Sequence, residues 1–238
     1  MADRSQRPRG EEVPLVGGRV NEGVVRVGET ARRPTGAHSP FVHNLLCHLE
    51  HVGFDGAPRF IGIDELGREI ISFLPGLPVA GTSILTDGEI ESGAILLRRY
   101  HDAAATLPAD VLGRAETVVH GDPGPWNMLW LDGRATYLID FDEARPGQRL
   151  EDLGYFAWKG LRLNAEGPSL AKQGRRLAVL AVAYGIPVDA ALLDAIEGAV
   201  TWLHSKGRRE RWSAEVLKGI DAERRWQSEN RARLLGDR

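Results

Sequence analysis

The sequence predicts an α+β chain in two unequal lobes, on three observations. Short β-branched runs separated by turn residues fill residues 13 to 74 around one amphipathic helix, Pro75-Gly76 then interrupts the pattern, and from about Leu150 onward the periodicity is helical. The expectation is a small N-terminal β-sheet lobe with one helix and a larger, mostly helical C-terminal lobe.

Residues 1–12 read as a mobile tail, rich in charge and poor in anything to bury. From Val13 to Pro34, Gly17-Gly18 and Gly28-Glu29 separate short apolar or β-branched runs, which predicts two or three antiparallel strands joined by hairpins. Pro40, preceded by His38 or Ser39 as cap, opens a helix with Val42, Leu45, Leu46 and Leu49 on one face, ending near Gly53. Cys47 lies in this stretch and reads as a buried thiol. Arg59–Ile63, a turn at Asp64 to Gly67, and Arg68–Leu74 make a closing hairpin. The first unit is therefore expected over 13–76, including a hinge, and the second over 77–238.

In the second unit, Ile84 to Leu107 has helical periodicity, with Ile90, Ala94, Leu97 and His101 on one side. Thr117–His120 and Thr136–Ile139 are short β-type runs. Glu166 to Ser169 and Gly185 to Pro187 punctuate the helical remainder.

The bulk numbers exclude several classes. With 238 residues, the chain is long enough for two lobes, and 42% hydrophobic with 26% charged residues is the composition of a folded globular chain. A net charge of −3 gives no basic field of the kind that draws proteins to nucleic acid or anionic membranes, so the expected partner is a small molecule. No apolar run approaches the length of a membrane span, and no export signal is read at the N-terminus. A single cysteine forms no internal disulfide, which suits the cytoplasm. Nothing in the sequence fixes oligomeric state.

The chemistry concentrates in Val119-His120-Gly121-Asp122-Pro123-Gly124-Pro125-Trp126-Asn127 and in Leu138-Ile139-Asp140-Phe141-Asp142. By themselves, Asp122, Pro123 and Gly124 describe a tight turn. With an Asn five residues after the Asp, and a second Asp closing an apolar strand, the same segment supplies what phosphoryl transfer needs: a base near the acceptor hydroxyl and hard oxygen ligands for a metal.

His-Gly-Asp-x-x-x-x-Asn followed by Ile-Asp-Phe-Asp resembles the aminoglycoside phosphotransferase family, small-molecule kinases with a protein-kinase-like fold. The resemblance implies ATP and Mg²⁺ between the lobes and a small hydroxylated acceptor. It implies that Asp122 is the catalytic base, that Asn127 and Asp140 are the Mg²⁺ ligands, and that His120 is structural. Asp142 is left without a role. Arg149-Leu150-Glu151-Asp152-Leu153-Gly154 resembles the family's helix start after the metal strand, which makes Asp152 a structural residue expected to cap that helix and to hold the catalytic loop. Phe73 and Leu74, before Pro75-Gly76, fall where the hinge would meet the adenine edge, and Gly17 and Gly18 where a glycine turn would cover the phosphates. An ordinary turn is the competing reading at both places.

One part departs from the pattern. No Lys precedes position 159, so Arg33, with Arg32 on the opposite strand face, is the substitute for the phosphate-binding Lys. The helix position expected to pair with it falls at Val42 or His43, neither acidic. Two other functions stay open at this point: a non-catalytic nucleotide-binding pseudokinase, and a kinase of an endogenous amino sugar, amino acid or choline-like alcohol in place of an antibiotic. Over residues 204–238 ten Lys or Arg face six acids, which argues against a highly cationic acceptor unless those arginines form a solvated helix face. Trp202, Trp212 and Trp226 read as core or pocket wall.

Overall fold

The computed structural model describes residues 11–15 and 23–236. Its small lobe is a five-stranded antiparallel sheet of β1 (Val13–Pro14), β2 (Val25–Val27), β3 (Thr30–Arg33), β4 (Phe60–Ile63) and β5 (Glu69–Ser72), in the order β1-β2-β3-β5-β4. The β4–β5 turn is tied by Asp64, whose Oδ1 accepts the N–H groups of Leu66 and Arg68, each at 2.9 Å. Helix α1 (Ser39–His51) packs beneath with Val42, Leu45, Leu46 and Leu49 buried, the face its periodicity predicts. His38 precedes it without a side-chain cap, and Ser39 Oγ instead accepts the Gly36 N–H at 2.8 Å. Cys47 is exposed, not buried: it lies on the outer side of α1, off the apolar stripe.

The large lobe begins with α2 (Asp87–Ala104), whose Thr86–Glu89 capping box satisfies two of the helix's orphan N–H groups. Ile90, Ala94, Leu97 and His101 are all buried. A short α3 (Ala109–Leu112) follows, then β6 (Thr117–Val119), β7 (Met128–Leu131), β8 (Arg134–Leu138) and β9 (Arg145–Gly147). β6 pairs with β9, and β7 with β8. The two strands expected to flank the motif therefore do not pair with each other. Each takes a partner left unassigned in the sequence, since Met128–Leu131 is a continuous apolar run without periodicity and Arg145–Gly147 has turn composition.

Four helices complete the lobe: α4 (Arg149–Leu161), α5 (Leu170–Tyr184), α6 (Ala190–Arg209) and α7 (Ala214–Leu234). α4 is the central one, with Leu153, Phe156, Trp158 and Leu161 fully buried, each contributing about 1.5–3 kcal/mol by burial. It lies so close to α6 that a Cβ on Gly154 would meet the Ala195 carbonyl oxygen at 2.5 Å. The helix is capped by Gln148 with Glu151, so Asp152 sits inside its first turn and is not its cap. Among the described residues no helix is long and apolar enough to cross a membrane.

Candidate active site

The loop between β6 and β7 is held from below. Asp152, 1% exposed, accepts the N–H of His120 at 2.6 Å and of Gly121 at 2.9 Å, and its carboxylate pairs with His101 Nε2 at 2.9 Å. Burial pushes the Asp152 carboxyl up, but the His101 hydrogen bond and charge outweigh this and leave it below the usual carboxylate range. The other half of the pin is the His120 ring, whose Nε2 meets the Ile139 carbonyl at 2.9 Å, fastening the loop to the end of β8. Gly121 has φ +86°, and a Cβ there would lie 2.4 Å from the Glu143 carbonyl oxygen. That close crossing brings Asp122 beside the short 3₁₀ turn Phe141–Glu143.

Asp122 is held by its neighbours through one oxygen only. Its Oδ2 accepts from Asn127 Nδ2 at 3.0 Å and from Trp126 Nε1 at 3.3 Å, while its Oδ1 is buried without a partner among the described residues. Burial raises its carboxyl above the usual range, partly opposed by the Tyr155 hydroxyl. Asn127 Nδ2 also donates to the Asp122 carbonyl at 2.9 Å, and the Asn127 carbonyl accepts the Ile139 N–H at 3.0 Å. Asn127 and Asp140 are thereby carried on adjoining segments. Asp140 adopts a left-handed backbone, φ 65° and ψ 64°, which costs about 1 kcal/mol or more and is tolerated best by Asp and Asn among side-chain-bearing residues.

From the small lobe, Arg33 reaches across. Its guanidinium touches Asp140 Oδ1 at 3.2 Å and is paired with Asp142 and with Glu69, the residue directly opposite it in the β3–β5 register. Arg32 turns the other way, to Thr30 Oγ1 at 2.5 Å and Asp64. Glu69, 2% exposed, also meets His43 Nε2 of α1 at 2.6 Å. The acid expected from the helix is thus supplied by β5, and the helix supplies the His that holds it. The sequence did carry a signal, an inward-facing Glu opposite Arg33 in a half-buried strand, but it is readable only once the β3–β5 register is known. His38 Nε2, 3.1 Å from Asp142 Oδ1, completes the cluster. Asp142, roleless in the sequence, is a second anchor for Arg33.

At the hinge, the Phe73 N–H donates to the Glu29 carbonyl at 2.9 Å, so that donor is spent within the sheet and is not free for a base edge. Leu74 follows beyond this last sheet bond, and Leu77 pairs with Trp130 of the large lobe. Gly17 and Gly18 lie outside the described residues.

The donors fit a nucleotide-bound Mg²⁺. No group of three or more His, Cys, Asp or Glu among the described residues forms a metal cage. Asp140 and Asn127 give two hard oxygens on adjoining segments, the sparse protein contribution Mg²⁺ takes when phosphate oxygens complete its shell. The unpartnered Asp122 Oδ1 meanwhile leaves a lone pair for an acceptor hydroxyl.

Residues 89–192 match the model of the phosphotransferase enzyme family. The trifolitoxin immunity protein of Rhizobium leguminosarum bv. trifolii is 34% identical over 167 residues, a match spanning 64% of this chain and 63% of that protein. Among solved structures, an aminoglycoside phosphotransferase from Alicyclobacillus acidocaldarius superposes with a TM-score of 0.59 at 14% identity, over 95% of this chain and 96% of the other. A spectinomycin phosphotransferase in complex with ADP and spectinomycin gives 0.58 at 12% identity, over 92% and 88%. The fold is the two-lobe, protein-kinase-like fold of these enzymes.

Proposed function

We propose, from the premise that this chain belongs to the phosphotransferase enzyme family, that it moves the γ-phosphate of ATP to a hydroxyl of a small molecule, an antibiotic or toxin-like compound. The observation that carries this reading is the Asp122 carboxylate, held through Oδ2 and buried without a partner at Oδ1, beside the Asn127–Asp140 pair. ATP is favoured by the ADP in the spectinomycin phosphotransferase complex, and a toxic acceptor by the names of the relatives. The single, exposed cysteine agrees with a reducing compartment.

In this reading Asp122 Oδ1 takes the proton of the acceptor hydroxyl as the new O–P bond forms and the bond to the ADP leaving oxygen breaks. Asn127 fixes the carboxylate in that orientation and, with Asp140, would hold Mg²⁺, which supplies charge neutralisation on the phosphates when bound. Arg33 neutralises Asp140 and Asp142, and with Glu69 on its Nε each guanidinium nitrogen faces a carboxylate, so a contact of Arg33 with the phosphates would require it to exchange one of these partners. Asp152 and His120 position the loop and touch no substrate.

Calorimetry of MgATP binding to the wild type and to Asp140→Ala tests this, together with ADP release over a panel of hydroxylated antibiotics. Binding that is lost in the variant is expected, along with turnover on at least one acceptor class. Equal Mg²⁺-dependent binding by both proteins would remove Asp140 from the metal site, and a wild type that binds nucleotide but turns over no acceptor would favour the pseudokinase alternative.

A further inference from the structure

Close to Asp122, aromatic and carboxylate groups of α4, α6, α7 and the Phe141–Glu143 turn already carry cations of the same chain. Tyr155 of α4 is ringed by Trp126 at 6.4 Å, Trp158 at 5.8 Å and Trp202 at 6.3 Å, and with Gly121 and Trp202 it lines a cavity of about 230 Å³ next to the catalytic loop. One turn along α4, Lys159 pairs with Glu223 of α7 at 3.2 Å and lays its ammonium over the Trp158 ring, 3.4 Å from the centroid. Lys206 of α6 pairs with Glu143, the last residue of the turn that carries Asp142, and lies 5.4 Å from the centre of the Trp202 ring.

An ammonium-bearing acceptor is recognised by carboxylates and aromatic faces, because each charged group must be paired as it leaves water. Here two carboxylates and the part-exposed indole of Trp202, which would serve, are occupied by lysines of the same chain. We propose that Lys159 and Lys206 are specificity-determining residues that fill the cation-binding positions of the acceptor cleft, so that the substrate is an uncharged or acidic alcohol and not a polyammonium compound.

The proposal rests on the phosphotransferase reading and narrows it. Lys159 is also felt by Asp122, and burial lowers its pKa, against the pull of Glu223 and Asp122. Burial, and after it the charges of Asp122, Glu143 and Glu223, raise the Tyr155 hydroxyl well above its usual range, so both lysine partners lie within electrostatic reach of the residue beside Asp122.

Calorimetry with kanamycin, a polyammonium probe, and with its fully N-acetylated form separates charge from shape. Wild type is expected to show no preference for kanamycin. In the Lys159→Met/Lys206→Met variant, kanamycin should bind about ten-fold more tightly, the equivalent of one or two freed ion pairs, and added salt should erase the gain. Single Lys→Gln variants give the same readout if the double variant folds poorly, as judged by its melting curve. Preferential binding or phosphorylation of kanamycin over its acetylated form by the wild type, or no gain on lysine removal, would overturn the proposal. MgATP titrations on the same samples keep the two readings apart: a wild type that binds no nucleotide sinks the phosphotransferase reading, whereas kanamycin binding still reports the charge state of the cleft.

Discussion

Asp122 combines two features that suit the proposed base, an oxygen without a partner and a carboxyl held above its usual range by burial. Asp122→Ala should lower kcat by about 10²–10⁴ and leave MgATP affinity near wild type, since the side chain is no metal ligand in this arrangement. Wild-type turnover in the purified variant would end its assignment. The pH profile follows from the direction of the shift. A base works when ionised, so the acidic limb of kcat/KM should fall above the range of an ordinary carboxylate, and activity should vanish as pH drops through the raised value. Because the Tyr155 hydroxyl is among the groups that lower it, Tyr155→Phe should carry the limb further up in pH. An unmoved limb would mean that Tyr155 does not share this proton. The Asp122–Asn127 pair and the Asp after the apolar strand were legible as a candidate site in the sequence, because their spacing is local. Tyr155, more than thirty positions downstream, was not.

At the level of elements, the loop that carries Asp122 depends on α4. Asp152 is fully buried among the His120 and Gly121 N–H groups and His101, so replacing it by Asn removes a charge from a site built around one. Asp152→Asn should cost about 3–5 kcal/mol, the penalty for breaking a buried pair from one side. The sign with pH is fixed. A carboxyl lowered in the folded state contributes stability above its unfolded pKa and loses it as pH falls through the folded one. The gap between wild type and variant should therefore be widest near neutrality and close in acid, which urea titrations at several pH values would show; a constant gap would mean the carboxylate's charge is immaterial. The strand and helix periods were readable because each face is buried against one neighbour. Partner choice was not: β6 with β9 and β7 with β8 are long-range pairings that no local pattern specifies. Nor was the place of Asp152, since its position just after Glu151 reads equally well as cap or first turn.

Across the whole molecule, the lobes meet through charge. Arg33 of the sheet holds Glu69 beside it and Asp140 and Asp142 from the opposite lobe, so one guanidinium joins the small lobe's interior to the end of β8. Burial works against its charge, and the three carboxylates more than offset that, led by Asp142. Removing either partner alone leaves an unbalanced charge at a site only a few per cent exposed on the Glu69 side, whereas removing both leaves Asp140 and Asp142 with solvent contact and His38 nearby. Arg33→Met should thus be the most damaging single change of the pair, by about 3–5 kcal/mol, and Glu69→Leu added to it should recover part of the loss. Urea unfolding of the wild type, both single variants and the double variant measures that coupling. Strictly additive losses would show that Arg33 and Glu69 do not act as a unit. MgATP affinity, followed in the same four proteins, distinguishes scaffold from site: an Arg33 that only braces the fold would bind nucleotide normally once the double variant regains stability. An Arg33 that meets the phosphates stays weak in every variant that lacks it, while Arg32→Ala, on the outer face of β3, changes little.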